Sequence, residues 1–162
     1  MPTPISHATV GYALGIWTQR GVPMRRVCLA AAACAALPDI DLLFFPFIEH
    51  RAITHSLMMA FVVAVLAPAI VLPDVKWRDG RWRIAAVLGI AILSHSSLDA
   101  LSHYSEGIEF LAPFSEQRYR FFWTPLGDPA DRLSRQLLQE TLVVFIPALL
   151  LVWLGLRTKH PR

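Results

Sequence analysis

The sequence predicts an all-α protein, a polytopic membrane bundle of about five helices. Hydrophobic residues make up 55% of the 162 positions and charged residues only 17%, and the mean hydropathy is +0.47. The apolar residues fall into five segments that basic or polar stretches separate, which is the pattern of membrane-crossing helices. The length fits one domain, so we expect residues 1–162 to form a single integral-membrane domain.

The five apolar segments predict the helices in order. They run from Pro4 to Gln19, from Met24 to Leu37, from His55 to Leu72, from Trp82 to about His103 and from Ser134 to Leu156. Segments three and five approach the roughly 20 residues that a spanning helix needs, whereas the others have shorter apolar stretches. Pro38 is expected to stop the second helix. Between segments four and five, residues 104–133 form a polar and aromatic loop whose Pro and Gly residues predict ordered irregular chain.

The distribution of charge predicts how the bundle lies in the membrane. Ten of the 15 basic residues lie at the end where segments one, three and five finish, together with only Asp74 and Asp79 of the 12 acidic residues. Lys and Arg accumulate on the cytoplasmic side of membrane helices, so we expect this end and the C-terminus in the cytoplasm. Since the basic residues lie between apolar runs, the net charge of +3 indicates a lipid bilayer rather than nucleic acid as the partner.

Titratable residues from all five segments converge on the opposite end of the bundle, which we call the acidic end. They lie at the starts of segments one, three and five and at the ends of segments two and four. The residues are His7, Asp39, Asp41, His50, His55, His95, His103 and Glu140. Ionisable groups at membrane depth are costly and usually functional, so the convergence indicates a site.

The pattern His95-Ser-Ser-Leu-Asp99 is the most specific of these signals. Residues four apart lie on one face of a helix, so His95 and Asp99 can bind one ion together, with a hydrogen bond between them as the alternative. In PDID, Asp39 and Asp41 either cap a helix or bind a divalent metal. His55 is either a buried structural histidine or a ligand.

The combination of imidazoles and carboxylates predicts a divalent cation, because a positive charge is needed to bring these groups together. Ligands of this type without Cys favour zinc, with manganese or another first-row ion as the alternative. The candidate ligands are His7, Asp39, Asp41, His55, His95, Asp99 and Glu140. A catalytic zinc takes about three protein ligands, so we expect two ions, or one ion with a well-developed outer shell.

Arginines at the acidic end are candidates for binding an anionic group. Arg118 and Arg120 in the loop can form bidentate bonds to a substrate, although pairing with glutamates or lipid headgroups is the ordinary role of such residues. Arg51 is a candidate for stabilising charge that develops during a reaction. We take Asp39, His50 and Arg51 as the candidate catalytic residues.

Motifs follow one another along nearly the whole chain. They are SHATVGYALG, LPDIDLL, HRAITHSL, HSSLDAL, LAPFSEQRYRFFWTPL and the Glu of LLQETL. In this order they resemble the YdjM-like, LexA-regulated family of membrane-bound metal-dependent hydrolases. The resemblance implies a bacterial inner-membrane protein whose motif positions are His7, Asp39, Asp41, His50, His55, His95 and Asp99. After HSSLDA the family commonly has Thr, whereas this chain has Ser102 and then His103, which leaves open whether His103 adds a ligand.

The residues and the resemblance together imply a metal-dependent hydrolase in the inner membrane, and their order is also similar to that of zinc-dependent phospholipases C. We expect it to cleave a phosphoester or ester bond of a lipid or lipid-linked substrate by a metal-activated water, with the site toward the periplasm. The alternative is a non-catalytic metal-binding membrane protein, a transporter or sensor. In a third interpretation the polar cluster only fixes helix packing. The sequence leaves the oligomeric state open.

Overall fold

The structure, a computed structural model, describes residues 2–18, 21–44, 47, 49–76, 80–103, 106–127 and 132–159. This part of the chain is helical and contains no β-strand. The helices are α1 (Pro4–Gly15), α2 (Met24–Ala36), α3 (Leu57–Val71), α4 (Arg81–Ala100), α5 (Leu133–Glu140) and α6 (Ile146–Lys159). A 3₁₀ segment, Leu37–Phe44, continues α2, and a π turn, Thr141–Phe145, joins α5 to α6, so the described chain forms five helical rods.

The five predicted helices are confirmed, but the second one does not stop at Pro38. The 3₁₀ segment Leu37–Phe44 continues it, and in such a helix the side chains at i and i+3 lie on the same face. Pro38 and Asp41 form that pair, and both are buried. The fourth helix ends earlier than predicted, at Ala100. The predicted end of the first helix, Gln19, lies outside the described residues.

Within the described chain, three rods are long and apolar enough to cross a membrane. They are Met24–Phe44 with 21 residues, Arg81–Ala100 with 20 residues and Leu133–Thr158 with 26 residues. The prediction that segment three is one of the long helices was wrong, because Leu57–Val71 has only 15 residues. The prediction that segment two is shorter was also wrong, because the 3₁₀ segment lengthens the second rod. In the fourth rod only the apolar part was predicted to be short, and the helix continues through the polar residues that follow it.

Helix α1 packs against α2 through two glycines that lie one turn apart. A Cβ atom at Gly11 would lie 2.3 Å from the carbonyl oxygen of Ala31, and one at Gly15 would lie 2.5 Å from Cα of Cys28. Both distances are well below van der Waals contact. Small residues four apart let helices approach closely in membranes, where packing rather than the hydrophobic effect drives association. This close approach fixes α1, and with it His7, against the bundle.

We expect Gly11→Leu to destabilise the bundle by about 3 kcal/mol, the upper end of the usual cost of overpacking, because the new side chain must displace α2. The measurement is the free energy of unfolding of the purified protein in detergent. Ala33→Leu, which introduces the same side chain at an exposed position of α2, is the control and should cost less than about 0.5 kcal/mol. Equal stabilities of the two variants would contradict the packing described above.

One face of α4 connects the apolar core to the acidic end. Ile84, Leu88 and Ile92 are fully buried along this face and belong to the hydrophobic core. His95 and Asp99 continue the same row and are also fully buried. Helical residues three or four apart share a face, so the row changes from apolar to polar near the C-terminal end of the helix. The helix thereby buries two titratable side chains without a break.

The loop between α4 and α5 contacts the acidic end. Within it, the backbone groups of Ile108 and Tyr119 exchange two hydrogen bonds of 2.9 and 3.0 Å, and the N–H of Glu109 donates to the carbonyl of Arg51 over 3.1 Å. The loop therefore holds the chain that precedes α3. The structure describes the loop only over 106–127, and the ends of the predicted loop lie outside the described residues, so an ordered loop over its whole length stays a prediction.

Candidate metal centre

Four separate segments bring the predicted histidines and aspartates together at the acidic end. They are α1, the 3₁₀ segment after α2, the chain just before α3, and the last turns of α4. The side chains they contribute are His7, Asp39, Asp41, His50, His55, His95 and Asp99. Five of these residues are fully buried. The side chains of Asp39 and His50 are 13% and 18% exposed, so the cluster has one side that is accessible.

The imidazoles of His55 and His95 direct their Nε2 atoms at each other, 3.1 Å apart. The outer nitrogen of His95, Nδ1, lies 2.7 Å from the carbonyl oxygen of Ala35. Because a carbonyl only accepts, this Nδ1 carries the proton. The outer Nδ1 of His55 lies 2.9 Å from the hydroxyl of Thr54, which donates its own proton to Asp41 over 2.6 Å. Nδ1 of His55 therefore donates to the hydroxyl oxygen.

Two acceptor nitrogens thus face each other inside the protein when both rings are neutral. Two lone pairs at this distance repel each other unless positive charge, from cations or from a shared proton, binds to them. Burial disfavours the protonated ring of His55, but the carboxylates of Asp41 and Asp99 outweigh burial and raise the pKa of this imidazole. The arrangement is that of histidine ligands to metals, whose outer hydrogen bond fixes the tautomer while the inner nitrogen binds the ion.

Asp99 lies among the inward-facing histidines. Its Oδ1 is 3.5 Å from Nε2 of His7, and its Oδ2 is 3.7 Å from Nε2 of His55 and 3.8 Å from Nε2 of His95. Neither oxygen accepts a hydrogen bond from a described residue, and the side chain is fully buried. A buried carboxylate without a donor is costly. Both oxygens are therefore available to a cation.

Two groups of side chains each place one ligand atom per residue within 4.8 Å of the others. The first group is Asp39, His50, His55 and Asp99, and the second is His7, His95 and Asp99. Asp99 belongs to both groups, and its two oxygens allow it to serve each of them. The ring of His7 stacks on that of His95 with centroids 3.8 Å apart. His103, whose role the sequence leaves open, is exposed and belongs to neither group.

Asp41 and His50 occupy places that differ from those the sequence indicates. Oδ1 of Asp41 lies 2.8 Å from Nδ1 of His50, and its Oδ2 accepts from Thr54 and lies 3.5 Å from Nδ1 of His55. Asp41 therefore contacts the outer nitrogens of two histidines. Nε2 of His50, in contrast, is buried and has no hydrogen-bond partner among the described residues. The ligand role of Asp41 and the catalytic role of His50 stay predictions, and the geometry favours His50 as the ligand.

Arg51 lies beside both groups in a strained backbone conformation. Its φ of 67° is the only positive φ of a non-glycine residue in the described chain, a conformation that costs about 1–3 kcal/mol and clusters at functional sites. The N–H of Arg51 donates to Asp41 over 3.4 Å. The buried guanidinium has its Nε 3.5 Å from Oδ2 of Asp99. The strained backbone therefore positions a positive charge against the central carboxylate.

Glu140 belongs to a second polar cluster. Its carboxylate accepts from the N–H and the hydroxyl of Thr3, over 3.2 and 2.8 Å, from the hydroxyl of Ser6 and from the amide of Gln136. Thr3 is the N-cap of α1, and a negative charge is favourable at a helix N-terminus. The structure brings Glu140 into neither ligand group, so its predicted role as a ligand has no support here. It ties the last rod to the helix that carries His7.

The two loop arginines lie outside both ligand groups. The guanidinium of Arg118 contacts the carboxylate of Glu49, lies 3.0 Å from that of Glu109 and 3.6 Å from that of Glu106. The positive charge of Arg118 is thus paired with carboxylates of the protein itself, which is the ordinary role of such arginines. Arg120 is exposed on the loop. Substrate binding by Arg118 and Arg120 stays a prediction.

Other groups of the centre were not predicted. Besides Thr54, they are the carbonyl of Ala35, which accepts from His95, and the hydroxyl of Ser96, which donates to the carbonyl of His55 over 2.8 Å. Thr54 directly precedes His55 and Ser96 directly follows His95, within the motifs HRAITHSL and HSSLD. This proximity to two predicted ligands was the one feature of the sequence that could have indicated their place in the centre. A backbone carbonyl gives no signal in a sequence.

The donor set fits a divalent first-row ion. The ligand groups contain imidazole nitrogens and carboxylate oxygens, which suit zinc and its neighbours. The buried atoms without a hydrogen-bond partner in the described chain include both nitrogens of His7, Nε2 of His50, Oδ1 of Asp39 and both oxygens of Asp99. All of these residues belong to the two groups. Six of the twelve such atoms in the described chain therefore lie where a cation would satisfy several of them at once.

Comparisons with known proteins agree with the resemblance seen in the motifs. The chain matches the sequence model of the family described as YdjM inner membrane protein over residues 1–160. It is 35% identical to the inner membrane protein YbcI of Escherichia coli (strain K12), over an alignment of 162 residues that covers 95% of this chain and 92% of that protein. No solved structure matches the chain.

Proposed function

Because this chain belongs to the YdjM inner membrane protein family, we propose that its buried histidines and aspartates form the centre of a membrane-embedded metal-dependent hydrolase. Its substrate would be a phosphoester or ester of a lipid or lipid-linked molecule. The observation that supports this most is the pair of Nε2 atoms in His55 and His95, 3.1 Å apart and both held as acceptors by hydrogen bonds on the opposite side of each ring.

The two ligand groups are the basis for proposing two ions, with zinc as the first candidate and manganese or another first-row ion as the alternative. Asp39, His50 and His55 would hold one ion, His7 and His95 the other, with Asp99 shared between them. Divalent ions in such sites polarise an ester or phosphoryl oxygen and activate water for attack at neutral pH.

The residues around the ligands have roles that follow from their contacts. Asp41 and Thr54 fix the rings of His50 and His55 through their outer nitrogens. Arg51 holds a buried positive charge next to Asp99, where it can stabilise negative charge that develops on a substrate. Since Asp39 and Asp99 lie on rods of spanning length, a substrate that is itself a membrane lipid reaches the centre from the bilayer.

The charge distribution supports the proposal that the C-terminus is cytoplasmic and the metal centre faces the periplasm of the inner membrane. Basic residues concentrate at the end opposite the centre, as on the cytoplasmic side of other membrane proteins. Two reporters are each fused after Arg162, one that is active only in the cytoplasm and one that is active only in the periplasm. We expect the first fusion to be active and the second to be inactive. The opposite pattern would overturn the orientation.

The test of the proposed reaction is a substrate screen on purified protein with measured metal content. Protein stripped with a chelator and reloaded with zinc or manganese is incubated with phospholipids and lipid-linked phosphates, and the release of headgroup or phosphate is followed. We expect turnover only in the reloaded protein. Bound metal without turnover of any substrate would favour a transporter or sensor. Absence of bound metal after reloading would leave only a structural role for the cluster.

Replacing Asp41 by asparagine should weaken metal binding by roughly 10- to 100-fold, the usual effect of losing an outer partner of a ligand. Asparagine retains an acceptor oxygen but removes the negative charge that orients His50 and His55. The measurement is a competition titration against a chelator of known affinity. Complete loss of one ion would instead make Asp41 a ligand, and an unchanged affinity would show that its contacts do not matter for binding.

A further inference from the structure

A partly open apolar cavity of about 220 Å³ lies next to the candidate centre. Its walls are Leu37, Pro38, Ile40, Thr54, Met59 and Ile92. The volume is below the roughly 300–1,000 Å³ of a typical ligand pocket. It has room for a segment of a single hydrocarbon chain and not for a lipid headgroup or two chains side by side.

The cavity and the ligand groups are built from the same short segments. Pro38 and Ile40 alternate with Asp39 and Asp41 along the 3₁₀ segment. Thr54 directly precedes His55. The 3₁₀ segment therefore contributes side chains both to the centre and to the cavity, so a molecule with a polar head at the centre has an apolar space beside it.

The lining provides no polar partner for a ligand. Thr54 is the one lining residue with a polar side chain, and its hydroxyl is already bonded to Asp41 and His55. Ile92 is a fully buried member of the hydrophobic core. Water gains no hydrogen bonds in such a space, whereas a hydrocarbon chain fits it.

The surroundings of the cavity also indicate where its occupant comes from. Leu37 and Ile40 lie in the spanning rod Met24–Phe44 and are 39% and 44% exposed. Ile92 lies in a second rod of spanning length, Arg81–Ala100. The exposed part of the wall therefore faces the hydrocarbon region of a bilayer, where the available apolar molecules are lipids.

We propose that this cavity binds one acyl chain of a phospholipid whose headgroup lies at the metal centre. The inference rests on the proposed function, because it takes the centre as the place where the lipid is cleaved. It adds that the enzyme selects a substrate by its tail as well as by the bond that is broken. The tail would hold the scissile bond in register with Asp39 and His55, whose neighbours in the chain line the cavity.

The test uses full-length protein in vesicles of phosphatidylethanolamine and phosphatidylglycerol that contain a phospholipid with a photoreactive group in one acyl chain. After illumination, mass spectrometry measures crosslinks to the peptides that contain Ile40 and Met59. We expect Met59→Trp, which fills the cavity, to lower this yield roughly tenfold. This is the loss of affinity expected when about two methylene groups of the acyl chain can no longer be buried. Met58→Trp, the same change at the neighbouring position that does not line the cavity, should leave the yield unchanged.

A second variant, Ile40→Trp, fills the cavity from a different segment of its lining and keeps the test valid if Met59→Trp folds poorly. Crosslinking that is equal in the Met58 and Met59 variants, or unaffected by Ile40→Trp, would show ordinary lipid at the protein surface and overturn the proposal. The metal content of each variant is measured in parallel. Missing metal would count against the proposed function alone, because the crosslink yield reports on the cavity whether or not the centre is active.

Discussion

Replacing Asp99 by asparagine should remove both ions and abolish turnover. Its two oxygens lie within 3.5–3.8 Å of inward-facing nitrogens of His7, His55 and His95, so the substitution affects both ligand groups. Asparagine keeps the shape but loses the charge, and its amide adds donors where a cation should bind. Loss of a single hydrogen bond to a transition state lowers turnover roughly 100- to 1,000-fold, and we expect a larger fall here because both ions are lost. Metal content per chain and turnover are the measurements.

Asp74→Asn is the matched control, because Asp74 is exposed at the opposite end of the bundle. This variant should bind metal and turn over substrate like the wild type. A normal metal content in Asp99→Asn would contradict the central position of Asp99. Loss of metal in both variants would point to general instability, which the unfolding free energy of each protein would reveal.

His7→Gln should remove one ion and leave the other. His7 belongs only to the second ligand group, whereas Asp39, His50 and His55 remain intact in the first. We expect the metal content to fall from two ions per chain to one. Both ions contact the substrate in two-metal sites, so turnover should fall as well. Loss of an outer hydrogen bond to a ligand lowers activity roughly 10- to 100-fold, and loss of the ligand itself should lower it by at least as much.

His103→Gln is the control for this change, since His103 is exposed and lies in neither group. It should retain both ions and full activity. Loss of both ions in His7→Gln would show that the two groups bind as one unit. An unchanged metal content would remove His7 from the ligands, and a loss of metal in His103→Gln would answer the question that the sequence leaves open by making it a ligand.

The parts of the centre that could be predicted from the sequence are those on regular helices. His95 and Asp99 are four residues apart in an apolar helix, and helical geometry alone places them on one face. The charge distribution and the five apolar segments then indicate that histidines distant in the sequence meet at one end. These inferences need only the helix repeat and the cost of ionisable groups in a membrane.

Irregular backbone explains why the rest of the centre's geometry could not be predicted from the sequence. Asp39 and Asp41 lie on a 3₁₀ segment rather than after a helix stop, so their directions do not follow from the α-helical repeat. Arg51 has a positive φ, which turns the chain between His50 and His55 in a way that no local pattern indicates. The different places of Asp41 and His50 depend on this turn.

Glu140 shows a different limit of sequence reasoning. A carboxylate in an apolar helix indicates a functional position, but the sequence does not show which partners it meets. Here the hydroxyls of Thr3 and Ser6 and the amide of Gln136 meet it. Short polar residues near the start of the chain are too common to reveal such a contact in advance.

The most direct test of the metal centre is the metal content of the wild-type protein. The protein is purified without chelators, supplied with zinc and manganese, freed of unbound metal by gel filtration and analysed by mass spectrometry for metals per chain. The two ligand groups that share Asp99 predict two tightly bound ions per chain. A folded protein that retains no stoichiometric metal would contradict the metal centre and the hydrolase proposed from it.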